Sequence, residues 1–338
     1  MCRKILSGAW VVLCLALLVD VGEARETLLS QLVRNNSNLL RFNIVDGRVL
    51  LQWSRMPNME VQSGAGDSKE KLRLRDGNGN GRGGGANLYY ERTSSDEQVT
   101  IEFRGSGDDL VITRAPRGKA SFLPMEFKQS PGEPTSLRLG PPEREEIWRA
   151  AGLWQLFVIQ PTVCRQHLIP VLEILRANWN LSDMTVSMET QLLEAARQDT
   201  AASRGRWEAL VKRLGDDRFA SREAADRALR AGGADSLQYL RRVDLQQLDA
   251  EQEFRVRRII RSLAGETDGD SPEAAAAAML HDRWVWLALL ERPEPATRKT
   301  AAQRLAVLLG EPIEVDPAAN PDSQKAERER LRAKLEKK

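Results

Sequence analysis

The stretch LRFNIVDGRVLLQW, residues 40–53, decides the character of the first half of the chain. Leu40, Phe42 and Ile44 alternate with polar residues, Asp46-Gly47 follows, and Val49-Leu50-Leu51-Gln52-Trp53 returns. Apolar residues two apart share one face of a strand, and Asp-Gly supplies the positive φ angles that a two-residue hairpin turn requires. The reading is a β-hairpin. Working outward, residues 87–92, 99–103 and 110–113 repeat the strand rhythm, with turn residues at 94–96 and 105–109 between them. Residues 122–127 and 136–139 complete a set of about seven short strands, the pattern of an antiparallel sheet or small sandwich. A short helix over 27–33 precedes it.

Inside this half lies DGNGNGRGGG, residues 76–85. Its opening resembles a calcium loop, but such a loop needs a carboxylate at its twelfth position and helices on both sides. Asn87 stands at that position, and the flanks read as strands. The spacing Gly79-x-Gly81-x-x-Gly84 matches a dinucleotide fingerprint, which must open a helix within a parallel unit. Strands flank it instead, so the stretch is read as the tip of a hairpin.

From Pro142 the rhythm becomes helical, and no segment beyond it is expected to be a strand. Residues 143–159 read as the first helix. Cys164, Leu168, Leu172 and Leu175 then fall on one helical face despite Pro170, as do Met184, Met188 and Leu192, and Trp207, Leu210, Val211 and Leu214. Three segments share a template: Arg222-x-x-Ala225-x-x-x-Leu229, Arg257-x-x-Ile260-x-x-x-Ala264 and Arg298-x-x-Ala301-x-x-x-Leu305. Partner helices are expected at 234–243 and 273–291, the second with Ser271 as cap and Pro272 in its first turn. Two helices per unit and a period near 40 describe a helical solenoid, whose units bury their apolar faces by stacking.

LGDDRFASREAADRALRAGG (214–233) resembles a HEAT-like repeat in its Asp216-Asp217 turn, its Arg222 and the spacing of Ala224-Ala225 to Leu229. FRVRRIIRSL (254–263) resembles the Val-Arg helix of the same repeat, and 297–335 is similar to the last repeat and tail of secreted bacterial HEAT-like proteins. Ser221 stands where the family carries an aliphatic residue. The resemblance covers about residues 210–335. It implies binding of other proteins through shape rather than chemistry.

Few residues offer chemistry. His167 and His281 are the only histidines, which argues against a multi-histidine metal site. Cys164 and His167, three apart, have the spacing of a nucleophile–base pair, but Cys164 lies on a leucine stripe where an inert core thiol is expected. His281-Asp282 reads as a helix-surface pair. Asp96-Glu97 and Asp108-Asp109 are paired carboxylates of the type that serves glycoside hydrolysis, yet both sit among turn residues. Trp53, Tyr89 and Tyr90 are read as cross-strand packing before a sugar platform. Trp148, Trp154, Trp207, Trp284 and Trp286 are read as core or helix-interface residues. No catalytic, cofactor-binding or metal-binding residue is assigned.

The first 24 residues differ in kind. Arg3 and Lys4 precede an apolar run over 5–19, and Gly22-Glu23-Ala24 follows, the order of a secretory signal. The run is shorter than the ~20 residues that span a bilayer. An uncleaved N-terminal anchor is the alternative. Cleavage leaves Cys164 as the one remaining cysteine, so no internal disulfide forms. Lys and Arg number 50 against 48 Asp and Glu, interspersed, and the mixed helix at 325–338 lacks the one-sided basic charge of a nucleic-acid arm.

The sequence therefore describes an α+β chain: a signal peptide at 1–24, an antiparallel β-sheet or sandwich-like domain at 25–140, connecting helices at 141–205, and an all-α HEAT-like repeat domain at 206–338. The expected function is an exported, non-enzymatic interaction or scaffold protein with a protein partner. The alternative is an extracytoplasmic hydrolase or carbohydrate-binding module using the β domain. Cleavage near Ala24 predicts a native N-terminus close to Arg25. Mass spectrometry of the protein from its source checks this, and an N-terminus at residue 1 or 2 contradicts it.

Overall fold

The computed structural model describes residues 27–35, 40–53, 58–76, 86–105, 107–176, 179–198, 201–241, 243–266, 271–313 and 321–336. The expected signal segment and residues 77–85 of the glycine-rich stretch lie outside them. Strands β1 (Leu40–Val45) and β2 (Arg48–Trp53) form the expected hairpin, with Leu40 opposite Trp53. Asp46 and Gly47 both take positive φ, 51° and 72°, as a tight turn of this twist requires.

A second antiparallel sheet runs in chain order from β3 (Met59–Ala65) through β4 (Ser68–Asp76), β5 (Ala86–Thr93), β6 (Glu97–Arg104), β7 (Asp109–Pro116), β8 (Met125–Gln129) and β9 (Thr135–Leu139) to β10 (Glu146–Ala150). Two of these strands were not expected. β3 is an edge strand with little apolar alternation. β10 corrects the reading of 143–159 as one helix: Trp148 and Ala150 point inward at a spacing of two, and extended Gly152 separates them from α2 (Leu153–Ile159). Strands β4 and β5 pair up to Asp76 opposite Ala86, so the glycine-rich stretch connects two adjacent antiparallel strands.

Strand alternation gives the large sheet one apolar face. Leu72, Tyr90, Ile101, Ile112, Phe127, Leu137 and Trp148 lie opposite one another across seven strands. Their outer-face neighbours include Arg73, Tyr89, Glu102 and Lys128, so one face meets water and the other must be covered. The β1–β2 hairpin and α1 (Leu28–Asn35) supply part of that cover, with Leu29, Phe42, Ile44 and Val49 buried. Helices supply the rest. After α2 come α3 (Pro161–Val163), a π-helical turn at Cys164–Leu168, and α4 (Ile169–Leu175). Pro170 has no N–H to offer the carbonyl of Gln166, four residues back. Nη1 of Arg114, on β7, donates to that carbonyl at 3.2 Å instead.

The remaining helices are α5 (Leu181–Gln198), α6 (Ala201–Arg213), α7 (Phe219–Ala231), α8 (Gly233–Leu240), α9 (Ala250–Glu266), α10 (Pro272–Met279), α11 (Arg283–Leu289), α12 (Pro295–Leu309) and α13 (Pro321–Leu335). The helix expected over 273–291 is two helices. Ser271 does cap the first, accepting from the amide of Ala274, and Asp282 starts the second by accepting from the amides of Trp284 and Val285.

Two αα-hairpins match position by position. In α6–α7, Leu210, Val211, Leu214, Ala225 and Leu229 are buried; in α11–α12 the equivalents Trp286, Leu287, Leu290, Ala301 and Leu305 are buried. Arg222 Nη1 donates to the carbonyls of Asp216 and Asp217, and Arg298 Nη1 donates to those of Arg292 and Pro293, the same two steps back. The middle template match is out of phase. On α9 the buried positions are Val256, Ile259 and Leu263, and Arg257 is exposed beside Glu253. Ser221 donates to Asp216 at 3.0 Å, giving the hydroxyl a partner in the interhelical turn.

The hydrophobic core does not divide where the sequence rhythm changes. One apolar cluster joins the sheet, the hairpin, α1, α2, α4, α5 and α10–α13. A second joins α6 to α9 alone. Between α7 and α9 lies Asp226, buried, with Arg230 at 2.6 Å and Arg258 at 2.7 Å. Burial pushes its carboxyl up, but these two arginines outweigh that and hold it below the usual carboxylate range.

Leu229 belongs to the second cluster, and truncating a buried Leu costs about 2–5 kcal/mol. Leu229→Ala is therefore expected to speed hydrogen exchange in residues 206–263 while the strands and α10–α12 keep their protection. Leu305→Ala should do the reverse. Equal loss throughout after either change would show one cooperative core.

Candidate functional site

Most of the residues singled out for chemistry have structural work. Cys164 is fully buried, its thiol donates to the carbonyl of Leu156 at 3.7 Å, and burial pushes its pKa up to about 12. His167 is part-buried, and burial with the nearby Arg114 charge pushes its pKa down. Among the described residues no hydrogen bond joins the two. The carboxylate of Glu97 binds Arg92 at 2.5 Å and Arg114 at 2.8 Å, whereas Asp96 accepts Arg117 N–H on its backbone carbonyl. Asp109 accepts from Ser130, and the carbonyl of Asp108 from Gln129. Neither acid pair is a pair of free carboxyls facing one space. Tyr89 and Tyr90 cannot form one stacking surface, because strand alternation sends them to opposite faces: Tyr89 donates to Glu91 outside, while Tyr90 is fully buried.

The His281-Asp282 pair is not on a helix surface. Asp282 accepts from Trp284 N at 2.9 Å and Val285 N at 3.2 Å, and also from Gln155 Nε2, while His281 contacts Arg304 Nη2 at 3.1 Å. Burial pushes the Asp282 carboxyl up. The pair joins α2, α11 and α12. Gln155, whose side chain also accepts from Ala151 N, is the member that the sequence did not suggest.

The tryptophans separate into two roles. Trp286 is buried, with its indole N–H donating to Leu280 O at 2.7 Å, and Trp154 is buried against Phe157. Trp148 and Trp284 instead border an open groove. Its walls are β10, the end of α2, α11 and α13, and it encloses a cavity of about 380 Å³. Ile147 and Trp284 are 46% and 39% exposed there. Ile147, Trp148 and Arg149 are consecutive and their side chains alternate faces, yet all three line the cavity. The cavity therefore runs along the free edge of β10, the last strand of the sheet.

The groove carries Arg149, Lys325, Arg328 and Arg332 against Glu291 and Glu329. Arg328 is engaged by Glu291 at 3.3 Å. Past Ile159, Gln160 and Glu291 a second hollow of about 640 Å³ continues between α5 and the α11–α12 turn. Arg292 forms one of its walls, bound to Glu189 and to the carbonyl of Val158, both bonds under 3 Å. Among the described residues no group of three or more His, Cys, Asp or Glu is arranged to hold a metal ion. Among the described residues no helix is long and apolar enough to cross a membrane. The groove was hidden in the sequence because β10 reads as helix; the signal that identifies it is the inward spacing of two between Trp148 and Ala150. Comparison with family models, curated proteins and solved structures finds no match.

The buried thiol yields a direct check. An unfolded cysteine ionises near pH 8.5, and the folded pKa is raised, so the thiol's contribution to stability is intact below that pH and is lost as pH rises toward about 12. Native protein at pH 8 should leave Cys164 unlabelled by iodoacetamide while urea-unfolded protein reacts, and Cys164→Ala should flatten the alkaline loss of stability. Equal labelling in both states would place the thiol at the surface.

Proposed function

We propose that the chain is an exported, non-enzymatic scaffold that binds a protein partner, built on HEAT-like helix pairs packed beside a β-sheet. The observation that carries this reading is the open groove along β10, where exposed Ile147 and Trp284 lie among charged residues. Interface anchors are typically aromatic or aliphatic residues surrounded by a polar rim, and this composition fits. The matched burial and arginine caps of α6–α7 and α11–α12 support the repeat part of the reading, since recurrence of one helix-pair unit is what a repeat architecture is built from. The charge–apolar–small order of residues 3–24 supports export.

The groove gives the reading its test. Truncating or charging an anchor residue typically removes 2 kcal/mol or more, roughly thirtyfold in affinity. Mature protein used as bait in the extract of its native envelope should retain a partner that crosslinks to β10 or α13. Ile147→Glu and Trp284→Ala should each deplete that partner at unchanged thermal stability. Retention unaffected by both changes, or no partner retained, overturns the reading.

A further inference from the structure

The groove also indicates the form of its occupant, an inference that rests on the scaffold reading above. β10 ends the sheet, and among the described residues its only strand partner is β9. A strand has two hydrogen-bonding edges, and among the described residues the outward N–H and C=O groups of β10, on the side where Ile147, Trp148 and Arg149 line the cavity, have no backbone partner. Such an edge is a template for another strand. Natural sheets protect their edges with charge, proline, bulges or a covering element. Here the covering elements, α11 and α13, stand across a cavity of about 380 Å³ instead of against the strand. The space lies between a free strand edge and a helical wall.

The lining selects among extended segments. Four cationic side chains face two anionic ones, and Arg328 already engages Glu291. Arg149 and Lys325 have no carboxylate partner among the described residues. Arg149 shares the outer face of β10 with exposed Ile147, two residues away. A segment paired to this edge would set a residue beside each of them on that same face, so an apolar residue beside Ile147 and an acidic one beside Arg149 complement the strand. We propose that the groove takes an extended, acidic segment of a partner protein as an added strand on β10, with alternating acidic and apolar residues.

The test uses a fluorescein-labelled octapeptide alternating Glu and Val, its Lys–Val counterpart, and a Glu–Val peptide N-methylated on alternate residues in each of the two phases. Anisotropy should show saturable binding of the Glu–Val peptide, none of the Lys–Val peptide, and loss of binding for one methylated phase only, since a strand pairs through one edge. Hydrogen exchange at residues 146–150 should slow on binding. Arg149→Glu with Lys325→Glu should weaken binding about tenfold, and the methylated peptides keep the test valid whatever that variant does to folding. Equal binding of both charge types, loss in both methylated phases or in neither, or binding that leaves 146–150 unprotected overturns strand addition. So does exchange at 146–150 that slows with protein concentration alone, which assigns the edge to a second copy of the chain. Failure of every peptide, with partner retention still lost in Ile147→Glu and Trp284→Ala, overturns this proposal and leaves the scaffold reading standing. Failure of both removes the scaffold reading as well.

Discussion

The side-chain amide of Gln129 ties the fold together. It sits on the apolar face of the large sheet with no exposure, in the register row that otherwise reads Leu74, Leu88, Phe103 and Leu110. A buried amide left without partners costs more than its bonds return, so this one constrains whatever covers it. Its oxygen accepts from Val49 N at 2.9 Å, and its nitrogen donates to Val49 O at 2.8 Å and Asp108 O at 2.9 Å. These bonds hold β2 across the sheet at one height. Leu51 N donating to Gly107 O at 2.8 Å extends the contact, and it requires glycine there: a Cβ at position 107 would meet Leu51 O at 2.4 Å. The hairpin turn in turn fixes the helices. Leu153 N, an otherwise orphaned amide at the start of α2, donates to Gly47 O at 2.7 Å.

Arg114 makes the corresponding link at the far side of the sheet. Glu97 fixes its guanidinium, Phe122 lies 4.3 Å beneath it, and its free arm meets the Gln166 carbonyl. The π-helical turn and the arginine are thus one device, because Pro170 creates the orphaned acceptor and the sheet supplies the donor. Sheet and helices are joined by polar groups that each need the other. This explains why one apolar cluster runs through both, although their sequence rhythms differ sharply at residue 142.

The sequence was readable where one face alone is buried. The β1–β2 hairpin, strands β5 to β7 and the α6–α7 pair alternate or repeat cleanly, because each shows one side to the core and one to water. It failed where that contrast is missing. α2 is buried from Leu153 to Val158, so it shows no amphipathic period, and its apolar residues merge with Ile147 and Trp148 into an apparent helix. β3 has the opposite defect: as an edge strand with Ser63 and Gly64 it has almost nothing to bury. In the 273–291 segment, alanines and leucines continue through residue 280, so the break that Asp282 makes in the helix is invisible to periodicity. The middle template match failed for a related reason: Arg257 and Ile260 keep the spacing, but the buried face of α9 is one residue away.

The candidate site arose from the same ambiguity. A short strand at the end of a sheet, followed at once by a fully buried helix, has half its backbone groups facing outward. Burying that edge under a helix would strand its N–H and C=O groups; leaving it fully open would invite uncontrolled pairing. This fold does neither. Leu331 and Leu335 of α13 are buried in the main core, and Arg328 reaches Glu291 on the α11 side, which seats the helix beside the edge without pairing to it. The gap is then bounded by elements anchored independently: β10 through β9, α11 through the Asp282–Gln155 contact, and α13 through its two leucines. Because no wall depends on the occupant, the groove can be empty and still keep its shape, so a bound segment would meet a preformed edge rather than having to order one.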